Sequence, residues 1–364
     1  MNSSRTTVVF IWTVISGYMA ACWRAMAARP DIDLLVIAYR PSVASNSGFH
    51  DSILEGVPHQ LLDEVEREDA AGIIKRVIAH RPDIIVTTGW WRPAYREVAY
   101  CGELSGAAFI MGLDTPWRTP LQYLNRLRYP RYLARLDAVV PAGERAWQHA
   151  RNLGIAPEKI FRGQYGVDVA RLRAAYEERA TKTWPRRLLF AGRFVEEKGI
   201  DVLVAAYSAY RERVSDPWEL CCCGQGPLGR LFDGVPGIED VGFVQPADMM
   251  VQWERAGAFV IPSRFDPWPL ALVEACAAGL PVVASEACGS AVEVLRPYYN
   301  GLLVPEGSVS GLTDALVSIH AQVAQLPEWG DRSLTLAAPY GTDCWVERWI
   351  ETFRTVLKQR GNSS

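Results

Sequence analysis

Short, uniformly apolar runs separated by stretches of helical period recur twice along this chain, and that alternation restricts the fold more than any other feature. In the first half the runs are Val8–Trp12, Leu34–Ala38, Ile84–Thr88, Ala108–Met111 and Ala138–Pro141. Helical patterns lie between them, including Glu64–His80 and Leu121–Leu136. The second half repeats the scheme with Leu188–Ala191, Leu220–Cys223, Ala258–Ile261, Val282–Ser285 and Leu302–Val304. Such runs are too short for helices and lack the alternation of a half-exposed sheet. They read as buried parallel strands with helices on both faces. The expected fold class is therefore α/β, with two Rossmann-like parallel-sheet domains facing each other across a cleft, and 364 residues suffice for two cores. The join is expected near 168–186, where Arg171 to Lys182 turns polar before Trp184-Pro185. This gives domains at 1–168 and 169–340. A final amphipathic helix within 341–364 is expected to pack back toward the first domain.

Bulk properties exclude several classes. A net charge of −3 argues against a nucleic-acid partner, although residues 1–170 carry +2 and the remainder −5. Eight cysteines show no C-x-x-C spacing, and reduced thiols fit a cytoplasmic protein. The five histidines are scattered without metal-ligand spacing, so no metal and no cofactor are expected. Residues 6–23 are uncharged between Arg5 and Arg24. They fit either a membrane anchor or a buried strand and helix. Thr13, Ser16 and Gly17 interrupt the run and favour the second reading.

The chemistry concentrates in the second half. After the apolar run Ala258–Ile261 comes a proline-broken loop carrying Asp266, and then a helix starting near Leu270 that carries Glu274 in its first turns. Two acids where a strand's carboxyl end meets a helix's amino end suit a ligand bearing hydroxyls and a phosphate, as a sugar nucleotide does. Upstream, Leu188–Ala191 runs into Gly192-Arg193 and then Lys198-Gly199. The two cations fit a diphosphate clamp, or they pair with Glu196 and Glu197 on a solvated loop. The run Gly224-Gln225-Gly226-Pro227-Leu228-Gly229 matches G-x-G-x-x-G, but Pro227 and its mid-chain position read as a tight turn.

In the first half, Gly17 follows the first strand where a backbone could approach a phosphate. Trp90 and Trp91 follow the third strand and either wall the cleft or cap the core. Asp114 either faces an acceptor hydroxyl or caps the helix before Leu121. Residues 115–136 hold five arginines and no acid, interleaved with Trp117, Tyr123, Tyr129 and Tyr132. The span Arg118–Arg135 suits an anionic membrane surface, a lipid phosphate, or simply a solvated helix face.

Together these residues resemble the family 4 glycosyltransferases of GT-B fold. The resemblance rests on Gly192-Arg193, Lys198-Gly199, Asp266 with Glu274, Ala278-Gly279-Leu280-Pro281 and Asn300-Gly301. It is strongest over 186–320 and continues more weakly through Gly154, Lys159-Ile160 and Tyr165-Gly166-Val167-Asp168. It implies sugar transfer from a nucleoside-diphosphate donor to a hydroxyl acceptor, with retention at the anomeric carbon and without a metal. Arg193 and Lys198 would hold the diphosphate and Glu274 the ribose. Asp266 would lie beside the sugar, the backbone of Trp268, Pro269 and Leu270 would touch it, and Gly17 would approach the diphosphate. The acceptor would lie near Asp114 and Trp90, and a lipid-linked acceptor in cell-envelope polysaccharide or glycolipid synthesis would bring the protein to the inner face of the cytoplasmic membrane. Asp266 stands where the family has glutamate, Pro269 where glycine is common, and Asp114 where many relatives have histidine. A sugar-nucleotide epimerase and a non-catalytic sugar-nucleotide-binding protein are the alternatives on the same architecture.

Overall fold

The apolar runs fold as parallel strands of two sheets. A computed structural model of the chain describes residues 5–41 and 48–362. It resolves into two compact units, one running to Gly166 and resuming at Thr342, the other spanning Val167–Gly341.

The first unit contains β1 (Thr6–Trp12), α1 (Gly17–Ala27), β2 (Ile32–Tyr39), β3 (His59–Leu62), α2 (Ala70–Ala79), β4 (Ile84–Thr87) and α3 (Pro93–Tyr100). It continues through β5 (Ala108–Leu113), α4 (Leu124–Arg128), α5 (Pro130–Arg135), β6 (Ala138–Pro141) and α6 (Glu144–Asn152). Its strands lie in the order β3-β2-β1-β4-β5-β6, and every adjacent pair is parallel.

The second unit contains α7 (Val169–Ala180), β7 (Arg187–Ala191), α8 (Ile200–Arg213), β8 (Glu219–Cys223), β9 (Ile238–Gly242), α9 (Met249–Arg255) and β10 (Ala258–Ile261). Then follow α10 (Leu270–Ala277), β11 (Val282–Ser285), α11 (Ala291–Val294), β12 (Gly301–Val304), α12 (Val309–Ala321) and α13 (Leu326–Ala337). Its order is β12-β11-β10-β7-β8-β9, again all parallel. In each sheet the winding reverses once, between β1 and β4 and between β7 and β10. Loops leaving the carboxyl ends of such a pair diverge and open a crevice, the usual ligand position in open α/β sheets.

All ten expected strands are present. Two more, β3 and β9, were not anticipated. Both are edge strands. Only Leu62 of β3 is buried, and no residue of β9 is, so neither carries the apolar signature of an interior strand.

The expected linker is instead a helix. Residues of α7 pack within the second unit through buried Leu172, Ala175 and Arg179. The Arg179 guanidinium is enclosed and donates to the carbonyls of Trp253, Ala278 and Gly279. The charged look of the segment thus hid an anchored cation. The single helix expected over 121–136 is broken into a 3-10 turn (Pro120–Tyr123), α4 and α5. Pro130 cannot continue the preceding ladder, and Tyr129 before it leaves the helical region with ψ 42°. The helix expected over 64–80 begins only at Ala70, where the Asp69 side chain accepts the Gly72 N–H.

The chain closes with α14 (Thr342–Gly361), which belongs to the first unit. Trp345 and Trp349 lie against Phe10, with ring centroids 6.3 and 5.4 Å away. Trp349 also meets Phe353 at 5.6 Å, and the Trp345 indole donates to the Gln164 carbonyl at 2.8 Å. The Arg360 guanidinium reaches the Asp137 carboxylate at 2.9 Å. Residues 6–23 are β1 and most of α1, and among the described residues no helix is long and apolar enough to cross a membrane.

Candidate functional site

In the second unit the loops that follow β7 and β10 are knitted into one surface. The backbone N–H groups of Arg264 and Phe265 donate to the Glu197 carbonyl at 2.8 and 3.0 Å. The Arg264 guanidinium forks onto the Asp201 carboxylate, and the pair holds that carboxyl below its usual range. Gly199 makes the approach feasible. Its φ is +69°, and a Cβ there would lie 2.2 Å from the Pro262 carbonyl oxygen. From the other side the Gly289 N–H donates to the Asp266 carbonyl at 2.9 Å. Ser290 Oγ donates to the Pro269 carbonyl at 3.0 Å.

Within this frame Lys198 and Asp266 form an ion pair, with side chains only 17% and 8% exposed. Lys198 therefore does not pair with its neighbours Glu196 and Glu197. Arg193 lies on the same loop, exposed, with no side-chain hydrogen bond or ion pair among the described residues. Both cations are thus borne by the loop that opens from the β7 side of the reversal, as a phosphate clamp requires. Pro269 caps α10 and contributes no N–H, Leu270 opens the helix, and Glu274 sits in its second turn. The Trp268 side chain is committed to packing. It is buried, its indole donates to Glu293 at 3.3 Å and its ring meets Tyr340 at 5.5 Å.

Glu274 is the most unusual group of the unit. Its carboxyl has no hydrogen-bond or salt-bridge partner among the described residues. Burial alone pushes its pKa up to about 7. The residue is part-buried, and a part-desolvated carboxyl without a protein partner is open to a ligand that supplies donors. The glycine run at 224–229 has no comparable feature. A Cβ at Gly224 would lie 1.8 Å from the Gly192 carbonyl oxygen, so the turn serves the packing of two loops.

The first unit has its own cavity of about 240 Å³ at the carboxyl ends of β4 and β5. Trp90, Trp91, Asp114, Gln122, Asn125 and His149 are among its lining residues. Trp90 has a double placement. Its ring is in the hydrophobic core, against Tyr129, Tyr132 and His149, and one edge faces the cavity. Trp91 is exposed at the mouth. Asp114 accepts the Tyr165 hydroxyl at 3.1 Å and is no helix cap, since Thr119 occupies that position and its N–H donates to Gln122. Gly17 starts α1 directly after the β1 loop, beside Ser16, whose buried hydroxyl has no hydrogen-bond partner.

Sequence reasoning overlooked His149 and placed no histidine in this region. It is 1% exposed on α6 and lines the cavity. Its Nδ1 is 2.9 Å from the Thr115 carbonyl oxygen. A carbonyl only accepts, so Nδ1 carries the proton and Nε2 presents its lone pair. Nε2 is buried without a partner, and burial lowers the imidazole pKa. No linear signal marks this residue, because α6 reaches the cavity only through the fold.

Comparison with known proteins follows the same division. Residues 185–322 match the family model described as glycosyl transferases group 1. An exopolysaccharide phosphotransferase of Streptomyces coelicolor is 30% identical over 50% of this chain and 19% of its own. An amylovoran biosynthesis glycosyltransferase of Erwinia amylovora is 29% identical over 52% of this chain and 49% of its own. The chain thus spans a fifth to a half of the length of these two relatives. Among solved structures, a glycosyltransferase from Rickettsia africae superposes with a TM-score of 0.75 at 15% identity, over 97% of this chain and 99% of its own. HepE from Anabaena, solved with UDP and glucose, gives 0.73 at 14%, over 96% and 100%. The fold is the GT-B architecture of two α/β units.

Proposed function

We propose that the chain is a nucleotide-sugar-dependent glycosyltransferase of family 4 type, acting with retention at the anomeric carbon. One observation carries this reading: the part-buried, unpartnered carboxyl of Glu274 sits on the helix that leaves the β10 loop, while two cations occupy the loop leaving β7, its neighbour at the winding reversal. Glu274 would accept hydrogen bonds from two neighbouring ribose hydroxyls, whose donors supply what burial removed. Arg193 and Lys198 would neutralise the diphosphate as it departs, a preorganised electrostatic role. Asp266 would lie beside the transferred sugar and hold the Lys198 ammonium in place. The bond from the anomeric carbon to the diphosphate oxygen breaks as the acceptor oxygen bonds to that carbon. The acceptor proton passes to the departing phosphate, so no metal and no separate base is called for. Gly17 would approach the diphosphate, and Asp114 and Trp90 would face a hydroxyl acceptor. Relatives named for exopolysaccharide and amylovoran synthesis support a cell-envelope polysaccharide as product class.

The test begins with a thermal-shift panel of nucleoside diphosphates and sugar nucleotides, since a ligand that binds only the folded state raises Tm. The sugar nucleotide giving the largest shift is then incubated alone and with hydroxyl acceptors. Transfer with an α-linked donor yielding an α-linked product is expected. A new sugar nucleotide without acceptor would indicate an epimerase. Binding with neither transfer nor slow hydrolysis would indicate a carrier.

A further inference from the structure

Across residues 118–128 the usual polarity of a surface segment is reversed. Leu121, Leu124 and Leu127 are 72%, 56% and 78% exposed, while Gln122 and Asn125 are the only part-buried residues of the stretch. Both polar residues line the cavity of the first unit. The segment therefore turns its amides inward over a cavity and Leu124 and Leu127 outward to solvent, with the largely exposed Leu121 at the cavity's rim. Spacing of three along the 3-10 turn and α4 sets those leucines in one row. Tyr123 adds a ring that is half exposed, and Trp91, 73% exposed, borders the same cavity as Leu121. An apolar patch of this kind on a folded unit marks a surface that something else covers.

Charge selects what covers it. Arg118, Arg126, Arg128 and Arg131 are exposed around the leucine row, and residues 115–136 contain no acid. Arg128 and Arg131 lie over the rings of Tyr129 and Tyr100 at 5.4 and 5.2 Å. Neither they nor Arg126 make a salt bridge among the described residues. Leucines flanked by Arg126, Arg128 and Arg131, none of them in a salt bridge among the described residues, and by interfacial aromatics match the boundary of an anionic bilayer, where acyl chains take the apolar row and lipid phosphates take the guanidinium groups.

We infer that the Thr119–Tyr129 segment seats the first unit on an anionic membrane surface, with the cavity behind it opening beside the headgroups. The cavity then receives a ligand anchored in that bilayer. This last step rests on the transferase reading. The seating itself does not, because it is measured without donor or acceptor.

The full chain is floated with vesicles of phosphatidylcholine alone and of phosphatidylcholine with phosphatidylglycerol. Association with the anionic vesicles only, weakened by added salt, is expected. Leu124→Ser/Leu127→Ser and Arg126→Glu/Arg128→Glu should each reduce partitioning about tenfold or more with Tm unchanged, because all four side chains are exposed. Four results overturn the inference: no flotation with either vesicle, equal flotation with both, flotation that both double variants retain, or a dimer in light scattering that the leucine variant converts to monomer. The last would assign the row to a second copy of the chain.

Discussion

Lys198 and Asp266 are sixty-eight positions apart and share one ion pair, almost sealed from solvent, at the point where the second sheet reverses its winding. The pair makes the cation part of the folded framework as well as a candidate phosphate ligand. Loss of stability and loss of chemistry are therefore mixed in any single substitution, and they are separable.

Lys198→Ala leaves the Asp266 carboxylate enclosed without its cation. Removing one partner of such a pair costs about 3–5 kcal/mol. Turnover should also fall about 100-fold or more, as when one donor to a developing negative charge is lost. Lys198→Met/Asp266→Asn should recover most of the stability, read by urea unfolding, and none of the turnover. If the double variant regains both, Lys198 is a structural ion only.

Glu274 carries a pH signature. Its pKa rises from 4.5 unfolded to about 7 folded, so between those values the folded state holds the extra proton. The resulting cost is absent below pH 4.5, grows as pH rises through the window, and is complete above about 7. Glu274→Gln should therefore be more stable than the parent at pH 8 and equal to it near pH 4, while binding nucleoside diphosphate more weakly at pH 8 and about equally near pH 4. Because the ribose hydroxyls need an ionised acceptor, parent affinity should climb with pH toward 7 and binding at pH 6 should release a proton. Calorimetry in buffers of different ionisation enthalpy reads that proton directly, and its absence would remove Glu274 from the ligand.

His149 shifts the opposite way. Burial keeps the imidazole neutral, so its cost appears on acidification. The unfolded chain binds the proton from about pH 6.5 downward while the fold resists it, and stability falls below that pH. Nitrogen-15 spectra at pH 7 should show the neutral ring protonated at Nδ1. A ring that titrates at or above 6.5 contradicts the cavity assignment. His149→Gln should remove this acid sensitivity.

Trp349→Ala deletes a fully buried indole that touches Phe10, Trp345 and Phe353. A loss of about 3–5 kcal/mol is expected for the first unit. Its unfolding midpoint should fall in urea while the transition of the second unit stays in place.

Interior strands were legible because burial on both faces demands unbroken Val, Ile and Leu, as in Ile84–Thr87. The edges β3 and β9 were not, since one side of an edge strand needs no apolar cover. Pro130 breaks the helix expected over 121–136, a signal that the basic-aromatic reading of that span did not use. Arg179 looked solvated because residue type cannot reveal three convergent carbonyls. Asp266, Glu274, Arg193 and Lys198 stood out through their positions after apolar runs, but the choice of Asp266 over Glu197 as the partner of Lys198 needs the adjacency of β7 and β10. His149 was silent, since only tertiary packing takes α6 to the cavity.

The return of α14 to the first unit has a consequence for biosynthesis. The chain leaves that unit at Gly166 and comes back at Thr342, so Phe10 waits for Trp345 and Trp349, which are synthesised long after it. The contiguous second unit can close while the earlier one is still incomplete. A nascent chain stalled before residue 342 would present an unsealed apolar surface to chaperones, and a stop codon within α14 would cripple a unit whose other elements are made well before it.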